Sequence, residues 1–77
     1  MEHTLSTLDT GMVGRSYTIE ALSLPLKIEK RLEALGMTKG TPVVVMNNKS
    51  AGTLIIKVRG TRLAIGKGIS ANIQVRS

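Results

Sequence analysis

The sequence predicts a mainly β domain, a small barrel of about five antiparallel strands with one inserted α-helix. Three observations lead there. Short apolar runs recur along the chain, each bounded by Gly, Pro or Asn turn signals. One stretch alone carries helical spacing. Strands this short leave open edges, and such a sheet hides its edges best by curling on itself. The 77 residues make a single domain, 1–77, with no linker and no internal repeat.

Residues 1–12 are polar and end in the turn signal Asp9-Thr10-Gly11, with Leu5 and Leu8 as anchors. Across Gly14–Leu22, Tyr17, Ile19 and Ala21 fall on one side and Thr18 and Glu20 on the other. Period two predicts a half-buried strand. Pro25 belongs in the first turn of the next element, with Ser23 as its N-cap. Residues 26–35, LKIEKRLEAL, form that helix. Ile28, Leu32 and Leu35 fall within an arc of about 60° at roughly 100° per residue, and Gly36 stops the helix. Lys27, Lys30 and Arg31 gather on one flank, Glu29 and Glu33 on the other. Lys27 with Arg31 and Glu29 with Glu33 are like-charge i,i+4 pairs, which no helix chooses for its own stability. The flanks read either as a docking face or as a solvated surface.

Val43–Asn47 and Thr53–Val58 are strands joined by the loop Asn48–Gly52. Arg59-Gly60 is a tight turn into a strand over Thr61–Ile65. Ile69–Asn72 forms one helical turn and Ile73–Val75 a last short strand. Turn signals this dense favour sequential antiparallel pairing. The central strands are apolar at consecutive positions, so either both faces are covered or an apolar stripe stays exposed. With one helix available, a stripe including some of Val44, Met46 and Ile55 is a candidate contact surface; cover by the helix or the N-terminal segment is the alternative.

The formal net charge is +6, and all five acids lie within the first 33 residues. Lys39, Lys49, Lys57, Arg59, Arg62, Lys67 and Arg76 follow with no acid nearby in sequence. Such a field attracts an anionic partner: nucleic acid, an acidic protein surface or an anionic membrane leaflet. The alternative is a surface kept soluble by its charge.

Catalysis finds little support. There is no Cys, so no thiol nucleophile, no disulfide and no Cys-based zinc site. A Ser/His/Asp set needs His3, near the chain end. Glu29 and Glu33 make at best a weak oxygen site for a metal. The spacing around Gly66-Lys67-Gly68 is not that of a phosphate loop. One aromatic residue, Tyr17, gives no base-stacking platform. No apolar run reaches membrane-span length, and MEHTLSTLDTG is not a signal peptide, so a cytoplasmic location is expected. No cofactor is expected.

The run RLEALGMTKGTPVVV (residues 31–45), then IKVRGTRLAI (56–65), then ANIQV (71–75), resembles the FeoA family, small cytoplasmic accessories of ferrous iron transport. The opening LSTLDTGMVGRSYTI (5–19) fits as well, so the resemblance covers nearly the whole chain. It implies an SH3-like barrel with an inserted helix, related to the C-terminal domain of DtxR-type repressors. It implies a non-catalytic adaptor linked to transition-metal transport, with the cytoplasmic GTP-binding part of a FeoB-type iron permease as partner. Leu32, Leu35, Gly36, Gly40, Val43, Val58, Gly60, Leu63 and Ala71 match fold-defining positions. Arg31 and Arg59 match polar surface positions. The loop NNKSAG (47–52) departs from the Pro/Gly/Asp-containing loop of many relatives.

The candidate partner-binding residues are therefore Lys27, Lys30, Arg31, Val44, Met46, Ile55 and Arg59. A homo-oligomer stays open, and neither a nucleic-acid partner nor direct membrane insertion is expected. Two further readings remain: a basic barrel binding nucleic acid through Lys57, Arg59, Arg62 and Lys67, and a metal-responsive regulator with Glu20, Glu29, Glu33 or His3 as ligands.

Overall fold

The structure is a computed structural model that describes residues 5–49 and 52–77. Six strands form one antiparallel sheet: β1 (Leu5–Thr7), β2 (Ser16–Leu22), β3 (Pro42–Asn48), β4 (Thr53–Val58), β5 (Thr61–Gly66) and β6 (Ile73–Arg76). Helix α1 spans Leu26–Ala34, and the four-residue α2 spans Lys67–Ser70. The strand order is β1-β6-β2-β3-β4-β5. Neighbours in sequence pair from β2 to β5, as the dense turns predict, but β6 returns to lie between β1 and β2.

Two expectations change. The sixth strand is β1, whose Leu5, Ser6 and Thr7 pair with Arg76, Val75 and Gln74. Three residues carry no readable period, and this strand exists because β6 offers it an edge. The sheet does not close into a barrel: β1 and β5 are its two edges and do not pair with each other. Strand curling is not sufficient to bring these ends into hydrogen-bonding register. Leu8, in a 3₁₀ turn after β1, is fully buried, whereas Leu5 is 56% exposed. The anchor is thus Leu8 alone.

The core follows from strand alternation. Tyr17 and Ile19 of β2, Val43 and Val45 of β3, Leu54, Ile56 and Val58 of β4, Ile65 of β5, and Ile73 and Val75 of β6 all turn inward. Leu32 of α1 joins them, with Leu24 and Ile28 packed alongside. The Tyr17 hydroxyl accepts a 2.8 Å bond from the Met12 N–H, so the single aromatic buries its polar end satisfied.

Two bulges redirect side chains. One falls between Ile19 and Ala21 on β2, and it turns Ala21 outward, against the simple period-two reading. The other falls between Val45 and Asn47 on β3 and leaves Met46 exposed. Beyond it, Asn48 donates from Nδ2 to the carbonyls of Asp9 and Gly11, at 3.0 and 2.8 Å, tying the 3₁₀ turn to the sheet.

Helix α1 begins differently from expectation. Pro25 itself is the N-cap, with no side-chain cap bond, and the Ser23 N–H bonds the Asn72 carbonyl instead. The C-terminus follows the sequence reading: Gly36 has φ 101, its N–H bonds the Glu33 carbonyl, and the Met37 N–H bonds Leu32. This Schellman geometry turns Met37 into the core, where it is fully buried. Leu35, expected on the apolar stripe, is the C-cap and is 45% exposed. The matched position Ala71 is also exposed.

Candidate interaction surface

Lys27, Lys30 and Arg31 are all exposed on α1. The helix points Leu32 at the core, so the basic flank lies on its solvent side. Glu29 is half-buried and Glu33 exposed, and neither pairs with a cation among the described residues.

Val44 and Ile55 are half-buried and point to the sheet face opposite the one that receives Leu32. Val44 lies opposite Lys57, and Ile55 opposite both Asn47 and Ala64. The two apolar side chains are diagonal neighbours on this outer face. Met46 sits beside them at the bulge, 36% exposed. The helix does not cover this stripe. The outer-face row Ser16–Val44–Lys57–Arg62 carries two adjacent cations directly across β4 and β5.

Arg59 belongs to the other end of the molecule. With Gly60 it makes the two-residue turn between β4 and β5, and both residues have positive φ, 51 and 80. That is the type I′ requirement for a tight hairpin. The Arg59 side chain lies over Gly36 at the C-terminus of α1. The structure therefore brings Arg59 to the end of the helix that carries Lys27, Lys30 and Arg31. It does not bring those cations together with Val44, Met46 and Ile55, which face the other way.

Beside Arg59 an open cleft of about 360 Å³ is lined by Thr38, Lys39, Gly40, Thr41 and Pro42. The Thr38 and Thr41 hydroxyls bond each other at 2.9 Å. In the sequence this stretch shows only the Gly and Pro signals of a loop, and its threonines carry no pattern that marks a cleft.

Glu20, at the β2 bulge, is the acid that forms ion pairs among the described residues. Its Oε2 is buried 3.0 Å from the Arg76 Nε, without the alignment of a hydrogen bond, and its Oε1 is 3.8 Å from the Lys39 Nζ. The pair with Arg76 is thus held by charge and proximity. Among the described residues no group of three or more His, Asp or Glu is arranged to hold a metal ion. His3 lies outside the described residues, as do Ser50 and Ala51 of the loop between β3 and β4. No helix among the described residues is long and apolar enough to cross a membrane.

These features define a small, six-stranded antiparallel domain that carries its charge on an open surface. A family model described as the FeoA domain matches residues 3–77, and the chain belongs to the FeoA family. A crystal structure of an iron uptake regulatory protein (FeoA) is 29% identical, with a TM-score of 0.84, covering 95% of this chain and 96% of that one. The solution structure of a FeoA protein from Chlorobium tepidum is 18% identical, with a TM-score of 0.84, over 91% and 68% of the two chains. A manganese-dependent transcriptional repressor shares the fold at 15% identity and a TM-score of 0.87. There this whole chain corresponds to 44% of the repressor. No curated protein sequence matches.

Proposed function

We propose that this protein is a non-catalytic accessory of ferrous iron uptake, acting in the cytoplasm by docking on the GTP-binding part of a FeoB-type permease. The observation that carries the reading is the match of the FeoA domain across residues 3–77, together with a 29% identical neighbour whose name ties it to iron uptake. The open surface supports it. Exposed cations on α1, with Arg59 at the helix end, offer a charged contact area to an acidic partner surface. Charge of this kind steers encounter and sets orientation more than it sets affinity. The test is co-purification of the tagged protein with the detergent-solubilised permease. Recovery of the permease at low salt, and its loss at high salt, supports the reading; no recovery at low salt removes it.

A further inference from the structure

Strand β5 ends the sheet, and its backbone groups alternate between β4 and open space. The two-residue turn makes Val58 and Thr61 the first hydrogen-bonded pair. Along the same register Leu63 and Ile65 also bond β4. The Lys67 N–H continues that phase with a 2.7 Å bond to the Gly52 carbonyl. The N–H and C=O groups of Arg62 and Ala64, and the N–H of Gly66, therefore point away from the sheet, while the Gly66 carbonyl, at the N-cap, starts α2. The edge has no Pro and no bulge, two of the devices that usually blunt one.

The side chains say what fits there. On the outer face Arg62 stands beside Lys57, with no acid in β3, β4 or β5. On the inner face Leu63 is only half-buried, because among the described residues no strand lies beyond β5 to finish covering it. A second copy is a poor occupant. Antiparallel pairing of two β5 strands about Ala64 sets Arg62 of each copy opposite Gly66 and brings no acid to either edge.

We propose that β5 is a docking edge for an extended acidic segment of a partner protein, which adds as a further strand. Its apolar side chains pack against the half-buried Leu63, and the alternate positions carry carboxylates beside Arg62. This goes beyond the permease reading, since the edge is defined by its own backbone and charge whichever protein supplies the strand.

The test titrates isotope-labelled protein with a capped Glu-Val-Glu-Val-Glu-Val-Glu peptide and with its lysine counterpart, read by amide NMR. The acidic peptide shifts the Arg62, Ala64 and Gly66 amides and slows their hydrogen exchange, and added salt weakens the effect. Ala64→Pro deletes an outward N–H without removing a bond to β4, so it abolishes the response while the far-UV spectrum and melting curve persist. Arg62→Glu weakens the acidic peptide by about fivefold and strengthens the lysine one, and this swap carries the test if the proline variant does not fold. Unmoved edge amides at millimolar peptide overturn the proposal, as does an equal response to both peptides. Self-association that Ala64→Pro abolishes overturns it too, by placing a second copy on the edge.

Discussion

Arg59 lies across Gly36: a Cβ built on the glycine meets the Arg59 Cδ at 2.6 Å. Both residues have positive φ, 101 at Gly36 and 51 at Arg59. One ends α1 and the other turns β4 into β5. Their meeting fixes the helix end against the hairpin, and it sets a cation near the negative end of the helix dipole. The same contact explains why a charged residue occupies a turn position that Asn or Gly fills more cheaply.

Gly36→Ala is expected to destabilise the fold by about 1–2 kcal/mol, from the left-handed conformation and the displaced Arg59 stem. Urea unfolding measures it. The double variant with Arg59→Ala should lose less than the two single losses combined, because the steric part disappears with the side chain.

Arg59→Asn should change stability by no more than a few tenths of a kcal/mol, since the gain from a residue that accepts positive φ more readily offsets the lost contact with the helix end. Binding to the permease should weaken in the same variant. A thermal melt beside a binding titration separates the two effects. A fall in both would mean that Arg59 is mainly structural.

Leu8→Ala should cost about 2–5 kcal/mol, a large share of the roughly 4–12 kcal/mol available to a domain of this length. Leu5→Ala should stay within about 0.5 kcal/mol, as Leu5 is exposed. The contrast in urea midpoints tests whether, of the two leucines, Leu8 alone anchors the N-terminal segment in the core.

Lys57 and Arg62 stand directly opposite on the outer face. Lys57→Glu converts that repulsion into attraction and should stabilise by roughly 0.2–1 kcal/mol at low ionic strength. The gain should shrink as salt is added, which a melting series in rising NaCl reads directly.

The local grammar of the chain was largely legible. The Gly36 stop, the Arg59-Gly60 turn and the strands from Val43 to Ile65 follow from turn chemistry and apolar runs, and the structure has them. What escaped is non-local. Strand β1 depends on an edge that β6 supplies from the other end of the chain. Barrel closure depends on whether the two edge strands meet, and no residue pattern encodes that distance. Ala21 and Leu35 were misread because a bulge and a helix cap broke the period that placed them. Of the candidate surface, exposure was readable for the helix cations, whose neighbours repeat at 3.6. Their separation from Val44 and Ile55 was not, because it depends on which sheet face the helix covers.

The most direct measurement is calorimetric titration of the permease's isolated cytoplasmic GTP-binding domain into this protein, wild type and with Lys27, Lys30 and Arg31 all changed to Glu. Saturable binding by the wild type, weakened at least tenfold in the variant with an unchanged melting curve, is the predicted result. Equal binding by both proteins, or no heat from the wild type at low salt, contradicts the account.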